Sequence, residues 1–179
     1  MNLAVGIDAQ PRGLAITQLN LQDSSFIKVD WKELRLDVPI EEKIFGAYIT
    51  ALKYVKEYKP VLVTIELPMA SQSSSSMALW GIYGAICAAV FPHCVLVEGI
   101  VPASWKKLSG LNAWAKETGN NTKNGIVDKK KIKDGVVALV DGVPSDLKPA
   151  DLYDSIAIAT AGLKRNLDRV SSYLTDSYE

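Results

Sequence analysis

The stretch "LAVGIDAQPRGLAITQLN", residues 3–20, decides the fold class. Two runs of apolar or alternating residues, 3–9 and 13–20, flank a short turn that contains Pro11 and Gly13. Apolar runs joined by a short turn with these residue types predict a β-hairpin. The chain therefore opens with two antiparallel strands, and the rest of the fold must be built onto them.

After the hairpin the pattern alternates between helix and strand. Residues 39–59 carry apolar residues at helical spacing with charges between them, which predicts an amphipathic helix. The segment "PVLVTIELP", residues 60–68, is apolar on both faces, as in a central strand that is covered on both sides. The other predicted elements are a strand near 25–36, a serine-rich loop and helix cap over 71–76, an apolar helix over 77–91, a strand over 94–99, a helix near 102–109, an irregular stretch over about 112–127, a helix near 128–141 and a last helix from 149 to about 168. This order predicts an α/β fold, a mixed sheet with helices packed on its faces.

Composition limits the function classes. With 179 residues, 48% hydrophobic and 22% charged, residues 1–179 are expected to form a single globular domain. The formal net charge is zero, so any affinity for a polyanion must come from local clustering. Cys87 and Cys94 lack the spacing of a zinc or redox motif and are interpreted as reduced core residues. No signal-peptide pattern opens the sequence, and the expected location is the cytoplasm, or the host cytoplasm for a viral protein.

The apolar helix predicted over residues 77–91 is too short to cross a bilayer, which takes roughly 20 residues. An all-round apolar helix in a soluble protein must be covered on both sides. Its small residues, including Gly81, Gly84 and Ala88, would let another backbone come close. We therefore expect one face of the helix to meet the sheet and the other to meet a second subunit.

Four acids occupy positions where sites form in such sheets. Asp8 lies near the end of the first strand, Glu66 ends the central strand, and Asp151 and Asp154 open the last helix. Carboxylates clustered without histidine or cysteine suit Mg²⁺ or Mn²⁺, and two such ions can hydrolyse a phosphodiester. The structural alternatives are a turn-forming Asp8, a solvated Glu66, and an Asp151 that only complements the helix dipole.

A basic segment accompanies these acids. Between Trp105 and Asp134 lie eight lysines against three acidic residues, whereas the whole chain is neutral. Lysines that bind flanking phosphates beside an acidic metal site are what a phosphodiester substrate requires. Trp105 and Trp114 are candidates for stacking on exposed bases, although the alternative is that both lie in the core, and for Trp114 we favour no role.

Other motifs are absent from the sequence. It contains neither a G-x-x-x-x-G-K-[ST] phosphate loop nor a G-x-G-x-x-G motif, so no nucleotide cofactor is expected. The lone His93 offers the serine run no credible catalytic partner, and that run is interpreted as a cap or hinge.

Four segments resemble, in order, those of RuvC-like Holliday-junction resolvases of the RNase H-like nuclease superfamily. They are "GIDAQPRGLAI", "VTIELPMA", "PASWKKLSG" and "PADLYDSIAIA". The first alone also fits sugar kinases and actin-like ATPases, and the last is more discriminating. The resemblance implies an RNase H-like mixed five-stranded sheet with helices on both faces, homodimerisation, and action on four-way DNA junctions. It also implies that Asp8, Glu66, Asp151 and Asp154 are catalytic acids that bind Mg²⁺, with Mn²⁺ as a substitute.

The resemblance also assigns basic residues. Lys129 matches the second active-site lysine of the family, and either Lys106 or Lys107 matches the first. The segment "LNAWAKETGNNTKNGIV" is a longer loop than the family has, and Pro68 and Met69 stand where bacterial members carry an aromatic residue. The candidate DNA contacts are Lys106, Lys107, Lys116, Lys123, Lys130, Lys131 and Met69.

The sequence therefore predicts a Mg²⁺-dependent endodeoxyribonuclease of DNA recombination and repair that resolves four-way junctions by paired symmetrical nicks. The alternatives are a nuclease of the same fold that acts on other branched DNA or on RNA, a non-catalytic nucleic-acid-binding module, and a small actin-like nucleotide binder. The chain is short for the two subdomains of the last of these.

Overall fold

A computed structural model describes residues 2–35, 37–69 and 74–176, without the side chains of Ser74, Ser75 and Asp176. The strands are β1 Leu3–Gln10, β2 Gly13–Asn20, β3 Phe26–Glu33, β4 Leu62–Glu66 and β5 Leu96–Ile100. The helices are α1 Ile40–Tyr58, α2 Ser74–Val90, α3 Pro102–Leu108, α4 Leu111–Thr118, α5 Ile132–Leu139, α6 Asp151–Arg165 and α7 Leu167–Asp176, with a 3-10 turn over Lys129–Lys131.

The strands form one mixed sheet in the order β3-β2-β1-β4-β5. Strands β1, β2 and β3 pair antiparallel, whereas β4 runs parallel to β1 and to β5. The predicted hairpin and the predicted central strand are confirmed, and so is the mixed five-stranded α/β class. The parallel pairing has a consequence for function, because it brings the C-terminal ends of β1 and β4 to the same edge of the sheet.

Each face of the sheet carries its own hydrophobic core. Successive side chains of a strand point to opposite faces. In β1, Val5 and Ile7 join the core beneath α1 and α2, whereas Ala4 joins the core beneath α6. The same alternation in β4 sends Val63 to the first core and Leu62 to the second. Positions 6 and 8 of β1 and positions 64 and 66 of β4 therefore belong to the face that α6 covers.

Helix α6 lies in direct contact with the sheet because two glycines make room for it. A Cβ placed on Gly6 would come within 2.5 Å of the backbone nitrogen of Ala159, and one on Gly162 would come within 2.7 Å of the Cβ of Thr64. The hydroxyls of Thr17 and Ser155, 2.7 Å apart, join α6 to β2. The first turn of α6 is thereby fixed beside the ends of β1 and β4.

The stretch expected to be irregular contains a helix, so that expectation is wrong in part. Helix α4 follows Gly110 and ends at Gly119, both of which have positive φ. Its Leu111 and Ala115 are fully buried. The many glycines and asparagines around it mark the ends of a short amphipathic helix rather than a continuous loop.

The two C-terminal helical predictions also need correction. The helix expected over residues 128–141 is a 3-10 turn followed by the shorter α5. The last helix begins at Asp151, after a cis Lys148–Pro149 peptide bond, and is interrupted at Asn166 before α7. The Asn166 amide donates hydrogen bonds to Glu98 and to the Gly162 carbonyl, and such side-chain bonds compete with helical ones.

Three smaller expectations have mixed outcomes. Of the serine-rich loop, residues 71–73 lie outside the described part of the chain, and α2 begins at Ser74, earlier than expected.

Cys87 and Cys94 are free thiols that are half-buried rather than enclosed in the core, and burial raises the pKa of both. Among the described helices, none combines the length and the apolar character needed to cross a membrane.

Candidate active site

The candidate active site lies where β1 and β4 end beside the start of α6. The parallel register pairs Gly6 with Thr64 and Ile7 with Ile65. The next positions, Asp8 and Glu66, therefore extend from adjacent strands toward the face covered by α6. Asp8 is 5% exposed and Glu66 is half-buried.

Three carboxylates meet closely at this place. Asp8, Asp151 and Asp154 each offer one oxygen, and these oxygens all lie within 4.8 Å of one another. The two helix residues contribute together because positions three apart share a helix face. Oxygens bound to one Mg²⁺ are about 4 Å apart at most, since each bond is about 2.1 Å long. An all-oxygen donor set of this size fits a hard divalent cation after a small contraction.

Burial and mutual repulsion perturb three of the four acids. Burial and then the neighbouring charge of Glu66 raise the pKa of Asp8 to about 8. Burial and then the charge of Asp8 raise the pKa of Asp154 to about 7. The pKa of Glu66 is raised by burial and then by Asp154. Glu66 is therefore electrostatically part of the site, although it lies outside the three-residue cluster.

Asp151 behaves differently from its neighbours. Burial would raise its pKa, but hydrogen bonds from Gln10 and Arg12 and the charges of Arg12 and Lys129 outweigh that effect and hold it below the usual range. The Arg12 guanidinium lies 2.7 Å from Asp151 Oδ2, and the Gln10 amide donates to Asp8 over 3.1 Å. At neutral pH the site thus combines an ionised Asp151 with acids that resist ionisation.

Two lysines belong to the electrostatic surroundings of the acids. Lys129 begins the 3-10 turn, and its charge lowers the pKa of both Asp151 and Asp154. Lys106 in α3 lowers the pKa of Glu66 and of Asp154. Lys107 is the next residue of α3 and is exposed. The geometry therefore favours Lys106 over Lys107 as the lysine beside the acids.

The remaining lysines predicted to bind DNA are all exposed, and together we call them the basic surface. Lys116 lies in the last turn of α4, and Lys131 pairs with Asp134 over 3.2 Å. The exposed lysines of this surface are Lys107, Lys116, Lys123, Lys130 and Lys131. Trp105 is only 2% exposed, so the suggestion that it stacks on bases is wrong. Trp114 is half-buried and packs against the core, as the alternative interpretation expected.

Met69 lines an apolar groove directly beyond Glu66. It is 73% exposed, and Trp80 of α2, 42% exposed, lies in the same groove. The groove has a volume of about 380 Å³, and its other lining residues are Leu67, Pro68, Val101, Pro102 and Ala103. The sequence indicated Met69 but gave no reason to place Trp80 beside it.

Sequence reasoning missed two polar residues of the site. Gln10 and Arg12 lie at the hairpin turn. Arg12 donates to Asp151, which is 139 positions away, and Gln10 donates to Asp8, two positions away on the same strand. Only the packing of α6 against β1 brings Asp151 within reach of that turn. The "AQPR" letters after Asp8 carry the signal, but they resemble an ordinary turn.

Comparison with known proteins shows the fold. No model of a protein family and no curated protein matches the sequence. Among solved structures, Thermus thermophilus RuvC in complex with a Holliday-junction substrate matches with a TM-score of 0.71 and 15% identity, over 95% of this chain and 98% of that chain. The Thermus thermophilus RuvC structure itself matches with a TM-score of 0.69 and 16% identity, over 94% of this chain and 97% of that one. The yeast mitochondrial Holliday-junction resolvase Ydc2 matches with a TM-score of 0.54 and 11% identity, over 94% of this chain and 85% of that chain.

Proposed function

Since the chain has the fold of RuvC, we propose that it is a divalent-metal-dependent endonuclease that resolves four-way DNA junctions. One observation carries this proposal. Asp8, Asp151 and Asp154 bring three carboxylate oxygens within 4.8 Å of one another, and the charge of Glu66 at the same sheet edge raises the pKa of Asp8. Acids that serve only structure are normally paired, whereas burial and the charge of Glu66 raise the pKa of Asp8, and burial and the charge of Asp8 raise the pKa of Asp154.

Asp8, Asp151 and Asp154 would hold Mg²⁺, or Mn²⁺ in its place, with Glu66 as a further ligand. When bound, such ions activate a water and stabilise the leaving oxygen of an in-line phosphodiester displacement. The protein fixes the acids in advance: strand ends carry two of them, and the first turn of a helix packed on those strands carries the others. Four acids of this kind do not ionise together unless positive charge compensates them.

Lys106 and Lys129 approach the acids from opposite ends of the basic segment, one from α3 and one from the 3-10 turn. We assign both lysines to the scissile phosphate and its neighbours, where their charge attracts the substrate into an acidic site. The exposed lysines of the basic surface bind the flanking backbone. This division lets a protein of zero net charge bind DNA on one side.

Action on a junction requires two sites, and α2 offers the surface for pairing them. An exposed stripe runs along this helix and its end through Met77, Trp80, Gly84, Ala88 and Phe91. These positions recur at helical spacing on the side away from the core residues Ile82 and Ile86. We propose that the stripe forms a homodimer interface that aligns two sites for paired nicks.

The dimer has its own test. Light scattering at micromolar concentration should give twice the mass of one chain, and Phe91→Glu, which puts a charge in the stripe, should give a monomer that still folds. Glu117→Gln, at an exposed position of α4, is the control and should leave the dimer unchanged. A wild-type monomer at that concentration would contradict the proposed interface.

The function is tested by substrate choice. We expect paired cuts in a labelled four-way junction, and none in matched duplex DNA, with Mg²⁺ or Mn²⁺ and not with EDTA. Pro68 and Met69 stand where the resolvase family carries an aromatic residue, so the substrate could instead be another branched DNA or an RNA. Flaps and branched RNA are therefore tested in the same panel. Cutting of those substrates alone would keep the active site but overturn the junction proposal. Binding without cutting would favour a non-catalytic module acting in recombination or repair.

A further inference from the structure

Trp105 carries an unexplained polar atom in the interior. Its side chain is 2% exposed, and among the described residues the indole nitrogen has no partner that meets hydrogen-bond geometry. Buried N–H donors without a partner are uncommon and cost free energy. We therefore expect a buried N–H beside a charged site to have a function in that site.

The carboxyl group that interacts with the Trp105 indole is that of Glu66. Interaction with the Trp105 side chain lowers the pKa of Glu66, so the indole and the carboxyl group lie close together, although no hydrogen bond of good geometry is formed between them. The Glu66 carboxyl group also interacts with Asp8, which raises the pKa of Asp8 and lowers that of Glu66. Glu66 thus interacts with both Trp105 and Asp8.

The chain path keeps this arrangement rigid. Glu66 pairs with Ile100, the last residue of β5, and α3 begins two residues later at Pro102. The backbone N–H of Trp105 donates to the Val101 carbonyl over 3.1 Å, which places the indole one helical turn from that strand end. The ring is packed in the core beneath α6, so it has little freedom to turn away.

The ring also contacts the lysine beside the site. The Nζ of Lys106 lies 5.3 Å from the centroid of the Trp105 ring, within the range of a cation–π interaction. One buried side chain therefore interacts with both a carboxyl group and a cation of the candidate site. No other tryptophan in the described part of the chain combines a buried unpaired N–H with a lysine over its ring.

We propose that Trp105 is a positioning residue, whose indole N–H holds one oxygen of Glu66 so that the other faces Asp8 and Asp154, and whose ring holds Lys106 beside them. This inference rests on the proposed function. Groups that orient a metal-binding carboxylate typically change metal affinity or activity by about 10- to 100-fold when removed. The indole does not touch the substrate.

Trp105→Phe is the informative substitution because it keeps an aromatic ring for Lys106 and removes only the N–H and part of the volume. Trp114→Phe is the matched control, since Trp114 packs against the same core next to Gly135 of α5. We expect Trp105→Phe to need about 10-fold more Mg²⁺ for half-maximal junction cleavage while binding the junction as tightly as wild type. Trp114→Phe should match wild type in its Mg²⁺ requirement. Equal Mg²⁺ requirements in all three proteins would overturn the inference.

A second measurement does not depend on cleavage. In the ¹H–¹⁵N spectrum of the wild-type protein, the indole resonance assigned to Trp105 should move on titration with Mg²⁺, and Glu66→Gln should abolish that movement. An indole resonance that ignores Mg²⁺ in wild type would overturn the proposed contact even if Trp105→Phe fails to fold. A wild-type protein that cuts no substrate, yet shows this Glu66-dependent movement, would refute the proposed function and leave the contact between Trp105 and Glu66 standing.

Discussion

Replacing Asp154 by Asn should stabilise the metal-free protein at alkaline pH. Burial and the charge of Asp8 raise the pKa of Asp154 from 3.8 to about 7. Each pKa unit corresponds to about 1.4 kcal/mol, so ionising this buried acid costs up to about 4 kcal/mol. Because the side chain keeps some contact with solvent, we expect about 2 kcal/mol to be recovered on neutralisation.

The sign of the pH dependence follows from linkage. A carboxyl group whose pKa is higher in the folded than in the unfolded state contributes stability that is complete below about pH 4 and is lost as pH rises through the folded pKa. Asp8, with a pKa of about 8, acts in the same direction. The metal-free wild-type protein should therefore lose stability between about pH 4 and pH 8, and Asp154→Asn should lose less.

Thermal unfolding in EDTA at pH 5 and pH 8 measures this difference. For a chain of this size, about 2 kcal/mol corresponds to a change in Tm of roughly 4–8 °C. Asp154→Asn should exceed the wild-type Tm by that amount at pH 8 and by much less at pH 5, and Mg²⁺ should raise the Tm of wild type more than that of the variant. Asp146→Asn, at an exposed loop position, is the control and should leave the Tm nearly unchanged at both pH values. A variant no more stable than wild type at pH 8 would refute the view that these acids are buried and uncompensated.

Three further predictions concern the support of the site. Gly6→Ala should lower the free energy of unfolding by about 3 kcal/mol, because the added Cβ would meet the α6 backbone. Gly46→Ala is the control and should leave the free energy of unfolding unchanged, because its Cβ would make only ordinary contact. Chemical denaturation measures both variants. Arg12→Gln should lower the free energy of unfolding by about 0.5–1 kcal/mol at pH 7, because it removes the cation that lowers the pKa of Asp151. The difference from wild type should vanish as pH falls through that pKa. A difference in denaturation midpoints that stays constant with pH would contradict this prediction. Lys129→Met should move the pH profile of metal-dependent cleavage to higher pH, because the pKa of Asp154 rises without Lys129, whereas Lys133→Met should leave the profile in place.

The sheet could be predicted because its signals are local. The hairpin and β4 are encoded by short apolar runs between turn residues, and the observed bounds agree closely with them. Helix α4 could not be recognised in the same way, because glycine and asparagine around it suggest a loop unless the burial of Leu111 is known. The interruption at Asn166 depends on Glu98, which is distant in sequence.

The sequence was sufficient to predict the acids of the site, but not the residues that pair with them. Asp8 and Asp154 follow from strand and helix positions that any such sheet brings together. The pairing of Arg12 with Asp151 depends on how α6 lies across β1, and the burial of Trp105 depends on the core beneath α6. A tryptophan between a proline and two lysines looks like a stacking residue in sequence, because exposure is a property of the packed fold.

Cleavage of a four-way junction by wild type and by Asp154→Asn is the decisive test of whether the acids catalyse metal-dependent junction resolution. Each strand of the junction is labelled in turn, and binding is measured beside cutting, with Mg²⁺ and with EDTA. We expect paired nicks at symmetrical positions by wild type with Mg²⁺ only, and no nicks by Asp154→Asn. The variant should bind the junction at least as tightly as wild type, because a negative charge near the phosphates is gone. Equal cutting by the two proteins, or tight binding by wild type without any metal-dependent nick, would contradict it.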